Sequence, residues 1–96
     1  MDARQQTNKT TNSKDARILD SLERIQNQPH EVWMVKLADR IVNLQPPPAT
    51  WSAEKIKLYY EESFIIHHYL RAASTYLEER LLSKIHQYYR HIDTIQ

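Results

Sequence analysis

Apolar residues repeat at helical spacing along this chain, most densely between His30 and Gln45. In that stretch Val32, Trp33, Met34, Val35, Leu37, Ala38, Ile41, Val42 and Leu44 are apolar. The polar positions between them, Lys36, Asp39, Arg40 and Asn43, fall at i, i+3, i+4 and i+7, which makes one narrow stripe on an α-helix. A helix that is apolar over most of its circumference belongs in the middle of a domain, so the pattern predicts a central helix covered by other protein on every side but the stripe. Pro29 suits its start, where a missing N–H is harmless, and Pro46, Pro47 and Pro48 end it after Gln45.

The flanking patterns predict further helices. Ile18, Leu19, Leu22 and Ile25 repeat along an amphipathic helix from Lys14 to Asn27, with Ser13 as N-cap. Before it, residues 1–13 are polar and expected to be disordered, leaving residues 14–96 as a single helical domain. The segment from Pro46 to Trp51 reads as a stiff connector, in preference to a ligand groove. Ser52 looks like an N-cap, with Trp51 and Ile56 spaced as a hydrophobic staple. A third helix is predicted from Ala53 to Ala72, with Ile56, Tyr59, Tyr60, Phe64, His67 and Leu70 along one side. The run Thr75-Tyr76-Leu77-Glu78 matches a capping box and sets a break near Ser74. A fourth helix then carries Leu77, Leu81, Ile85, Tyr88, Tyr89 and Ile92. One unbroken helix from Ala53 onward would be long for a domain of this size.

Composition narrows the class to all-α. The 96 residues include no glycine, against ~7% in ordinary globular chains, which disfavours left-handed turns, hairpins and glycine phosphate loops. Cysteine is absent, so disulfides and thiolate metal sites are excluded. With 13 basic and 12 acidic residues, the net charge of +1 provides no field for non-specific nucleic-acid binding. No apolar run approaches the ~20 residues of a membrane span, and no hydrophobic signal segment follows the N-terminus. A cytoplasmic protein without nucleic-acid or membrane partners is expected.

Each candidate for chemistry has a plainer reading beside it. Asp39 and Asn43, one turn apart and flanked by Lys36 and Arg40, could meet a metal and a ligand. The plainer and preferred reading is a solvated face on which Asp39 balances Lys36 and Arg40. The histidines, His30, His67, His68, His86 and His91, include no pair at converging helical spacing and read as surface or partly packed. Tyr59, Tyr60, Tyr69, Tyr76, Tyr88 and Tyr89 suit a core boundary, with rings buried and hydroxyls wet, better than a base-stacking platform. No nucleophile elbow or local triad pattern occurs.

The string Met34-Val35-Lys36-Leu37-Ala38-Asp39-Arg40-Ile41-Val42-Asn43-Leu44 resembles the late motif of the HD-domain phosphohydrolases, and within them the guanosine polyphosphate (ppGpp) 3′-pyrophosphohydrolases. The likeness continues through Pro46-Pro47-Pro48 and Trp51-Ser52 to Tyr59-Tyr60-Glu61, and so covers roughly Ser13 to Ile92. It implies that Asp39 matches the aspartate completing a divalent metal site, usually Mn²⁺. Asn43 matches an asparagine facing the nucleotide, Tyr59 an aromatic residue near the ligand, and Lys36 and Arg40 supporting charges. In complete enzymes of the family the metal activates a water that attacks the 3′-pyrophosphate, chemistry tied to the stringent response.

The family pattern also needs an upstream histidine, a His-Asp pair and a Glu-Asp motif, and no His-Asp dipeptide occurs in this chain. His30 lies on the same helix as Asp39, ~13 Å along its axis, and cannot replace them. One carboxylate does not hold a hard cation that wants about six donors. The expectation is therefore a four-helix C-terminal half of an HD-like domain standing as a separate protein. No catalysis of its own is expected, and no cofactor unless another chain completes the site with Mn²⁺. Too few helices remain to enclose the central one, so a homodimer is expected to cover its apolar surface, with interaction or regulation as its role. The alternatives are a ppGpp-type hydrolase completed by another chain, and a guanine-nucleotide-binding module that keeps Asn43 and Tyr59.

Overall fold

A computed structural model describes residues 16–95, with side chains as far as Ile92. The expected polar tail, the Ser13 cap and the first turn from Lys14 lie outside the described residues. All regular structure among the described residues is helical, so the chain is an all-α protein. Its helices are α1 (residues 16–26), α2 (His30–Asn43), α3 (Ala53–Leu70) and α4 (Thr75–Ile95), with a 3₁₀ turn at Arg71–Ala73 between the last two. No described helix is long and apolar enough to cross a membrane.

α1 is amphipathic as its pattern requires. Leu22 is buried, Ile18 and Ile25 pack against the core, and an Asp20–Arg24 pair spans one turn of the outer face. The tight passage into α2 is fastened by Trp33, whose indole N–H donates to the Gln28 carbonyl at 3.0 Å, while the His30 ring lies 4.4 Å from the Trp33 ring.

Helix ends are made without glycine, and several depend on a local device. α2 stops at Asn43, two residues before the expected end. Pro46 biases Gln45 away from helical angles, and the Leu44 N–H is shared between the Arg40 and Ile41 carbonyls. The Gln45 side-chain amide then donates to the Val42 carbonyl at 3.0 Å, satisfying one of the orphan acceptors. Ser52 caps α3 as expected, accepting from the Lys55 N–H at 3.1 Å. Trp51 beside it meets the Tyr59 ring edge-on at 5.3 Å. α3 ends at Leu70 rather than Ala72 by tightening into the 3₁₀ turn. The break near Ser74 is present, but Ser74 is the cap, accepting from the Leu77 N–H at 3.1 Å. With Ser74 as cap, Thr75 is already helical and the expected Thr75–Glu78 box is out of register; Glu78 instead meets His67 at 2.7 Å across the α3–α4 corner.

α3 and α4 form an antiparallel pair, with Tyr60 and Tyr89 rings 5.5 Å apart near one end and the His67–Glu78 pair at the other. α2 packs on both. The core between them is made by Leu37, Ile41 and Leu44 of α2, Ile56, Ile66 and Leu70 of α3, and Leu81, Ile85, Tyr88 and Ile92 of α4. The result is a thin slab, 42 × 36 × 17 Å, about two helices deep.

The central helix departs from expectation in its rotation. Arg40, placed on the solvated stripe by its spacing, is 8% exposed and faces the core between Leu37, Ile41 and Leu44. Its guanidinium carbon stacks 4.0 Å from the Tyr59 ring centroid. Nη1 donates to Ser63 Oγ at 3.1 Å and to the Tyr59 carbonyl at 3.4 Å, and Nη2 lies 3.8 Å from Glu62 Oε1. Conversely, Val35 is 69% and Val42 66% exposed, with Val32 and Met34 partly so. α2 is thus covered on one face and bare on the other. The apolar majority of its sequence does not mean enclosure within a single subunit.

Replacing Arg40 by alanine removes a buried stacking and hydrogen-bonding partner from α3. Urea unfolding should show a loss of about 2–4 kcal/mol. Arg40→Lys keeps the charge but not the planar fork, and should recover less than half of that loss. Glu62→Gln, at a partly exposed partner, should cost under about 1 kcal/mol.

Candidate functional site at the end of the central helix

The residues singled out on α2 separate by direction. Arg40 turns inward, Lys36 is half-buried, and Asp39 and Asn43 are exposed. Arg40 is therefore a structural cation that positions Tyr59. Asn43, at the last turn of α2, opens onto a cleft of about 350 Å³ whose other walls are Gln45, Pro46, Pro47, Pro48, Trp51, Tyr59 and Tyr88. The proline loop forms one side, and the aromatic rings of α3, α4 and the loop's end form the other. Two of the family-matched residues, Asn43 and Tyr59, thus share one cleft, while Asp39 is not among its walls.

Three elements converge on Tyr59. Its ring has Trp51 at 5.3 Å, Tyr88 at 5.9 Å and the Arg40 guanidinium over its face. Burial raises the Tyr59 phenol pKa above the ordinary 10.0, with smaller upward pushes from Asp39 and Glu62 opposed by Arg40. Tyr88 is also raised, first by burial and then by Tyr59, again opposed by Arg40. Its hydroxyl is buried and has no hydrogen-bond partner among the described residues, unlike the wet hydroxyl that the spacing suggests. Tyr60, on the other side of α3, is raised by burial and by its neighbours Tyr89 and Glu61.

Chemically the cleft can receive a flat or cyclic apolar group between prolines and aromatic edges, with the Asn43 and Gln45 amides available for hydrogen bonds. A metal centre has no such basis. Among the described residues no three of His, Asp and Glu gather where they could hold an ion, and Asp39 stands alone on an exposed face. The residues present do not fit the Mn²⁺ site that the family likeness implies. Four of the five histidines are instead engaged with neighbours, His67 with Glu78, His30 on Trp33, His68 beside Tyr69 and His91 beside Tyr88, while His86 is exposed.

Sequence reasoning missed Ser63, Gln45 and Tyr88 as members of this region. Ser63 follows Tyr59 by one helical turn, and its hydroxyl donates back to the Tyr59 carbonyl at 2.9 Å, a spacing that could have marked it as Arg40's acceptor. Tyr88 carried only a core signal, since its place beside the proline loop depends on how α4 crosses α2.

No family model matches this chain, and no curated protein matches it.

Because the Tyr59, Tyr60 and Tyr88 phenols hold their protons more tightly when folded, they contribute stability that is complete below the unfolded value near 10. That stability is lost as pH rises through the folded values, so chemical denaturation should show falling stability above pH 10. Tyr88→Phe removes an unpaired buried hydroxyl. It should leave stability at neutral pH unchanged or raised by up to about 1 kcal/mol and shrink the alkaline loss. A marked destabilisation would show that the hydroxyl has a partner.

Proposed function

We propose that this chain is a homodimeric interaction or regulatory protein without catalysis of its own, built on helices that resemble the later part of a ppGpp-hydrolase HD domain. One observation carries the reading: the bare side of α2, where Val35 and Val42 are two-thirds exposed with Val32 and Met34 nearby. Apolar side chains grouped on one face of a small domain mark an association surface, and identical copies most often meet about a two-fold axis. The non-catalytic part of the reading rests on Asp39, which is exposed and joined by no group of three His, Asp or Glu among the described residues, whereas a catalytic divalent cation needs several converging donors. Size-exclusion chromatography with light scattering should give twice the 11.5 kDa chain mass for the wild type and the single-chain mass for the Val35→Asp, Val42→Asp double variant. A monomeric wild type would overturn the dimer. Turnover of ppGpp in the presence of Mn²⁺ would overturn the non-catalytic assignment in favour of a hydrolase completed between chains.

A second reading, a guanine-nucleotide-binding module without metal, is favoured by a different observation: Asn43 and Tyr59 line one aromatic cleft. Isothermal calorimetry with guanine nucleotides should give binding heat for the wild type and at least about tenfold weaker binding for Asn43→Ala, the loss of one or two hydrogen bonds. Absence of heat with both proteins removes this reading.

A further inference from the structure

A second hollow, of about 240 Å³, lies between the end of α2 and α4, beside the aromatic cleft. The two share Gln45, Pro46 and Tyr88 as walls. Its different character comes from α4. Lys84, Tyr88 and His91 follow at i, i+4 and i+7, so they share one stripe of that helix. Lys84 and His91 are half-buried, and Arg90 and the Gln87 amide stand at their side. No Asp or Glu is among the walls. Two hollows further out on α4 each include Glu79, so an acid stands among their cations. Lys84 borders one of these as well, yet it has no ion-pair partner among the described residues.

The positions one turn from Lys84 on its own helix, Arg80, Leu81, Gln87 and Tyr88, offer it no carboxylate. A cation partly withdrawn from water is stabilised by an anion that pairs with it. Ammonium, imidazole and amide N–H donors around one hollow suit a group with several acceptor oxygens. A phosphoryl group presents more such oxygens, and more charge, than a carboxylate does. Next door, the proline and tyrosine walls suit a ring. We propose that Lys84, Gln87 and His91 form an oxyanion subsite that takes the phosphoryl group of a small ligand whose ring lies in the aromatic cleft, on the other side of Gln45 and Pro46. The placement of the ring rests on the nucleotide-module reading above, and the anion subsite does not.

Two probes separate the halves of the site. Inorganic pyrophosphate, titrated by NMR into the full chain at low ionic strength, should shift the signals of Lys84, Gln87 and His91 at millimolar concentration. GDP should bind at least about tenfold more tightly, because its ring adds contacts in the cleft. Lys84→Met keeps the packed stem and removes the charge, and should weaken both probes about tenfold. Lys57→Met, which removes an exposed cation from α3, should bind both as the wild type does. Absence of pyrophosphate binding, shifts confined to residues away from the hollow, or equal binding by wild type and Lys84→Met would each overturn the subsite. GDP binding no tighter than pyrophosphate would overturn the joining of ring and anion in one site. If Asn43→Ala leaves GDP affinity unchanged while Lys84→Met weakens it, the ring placement falls with the nucleotide-module reading and the anion subsite stands.

Discussion

The buried guanidinium of Arg40 sets the rotation of α2, and most of the molecule's character follows from that rotation. A long cation enters a helical core only where its donors are met, and here α3 offers an aromatic face, a serine hydroxyl and a backbone carbonyl within one turn, with Glu62 at the rim. These partners sit where Leu37, Ile41 and Leu44 already point. With Arg40 turned inward, helical geometry leaves Val35 and Val42 on the opposite side. The arginine and the valines are two faces of one constraint: turning the valines inward would expose the core leucines and strip the arginine of its partners.

A slab two helices deep buries one face of α2 and leaves the other to solvent or to another protein. In a chain of this size, apolar side chains on that outer face are an unusual use of hydrophobic residues. Asp39 is exposed on α2 as well, and among the described residues no group of three His, Asp or Glu gathers around it. The aromatic cleft at the end of α2 is a separate feature. It is shaped by the triproline loop and by α4, and Arg40 links it to the core by holding the Tyr59 ring in place.

The helical class, the helix order, the Ser52 cap and the break at Ser74 were legible in the chain because they are written locally, in periodicity, capping residues and prolines. Three-dimensional direction was not. The spacing of Lys36, Asp39, Arg40 and Asn43 marks a polar stripe, but one arginine with the right acceptors on a neighbouring helix moves from the wet side to the dry side, and nothing within α2 announces those acceptors. Tyr88 was legible as core, and its unpaired hydroxyl was not, because hydrogen-bond partners come from packing between elements. The cleft was half legible: Asn43 and Tyr59 were marked by the family likeness, while Gln45, Trp51 and Tyr88 reach it only through the path of the proline loop.

The central proposal is that the outward valines of α2 are covered by a second copy of the chain. Methyl NMR with a soluble paramagnetic agent measures that cover directly, since relaxation of a methyl signal grows with its access to the agent. The account predicts weak relaxation of the Val35 and Val42 methyls in concentrated protein, rising on dilution as dimers separate, while the core leucines Leu37 and Leu81 stay protected throughout. Strong relaxation of both valines at every concentration would contradict it.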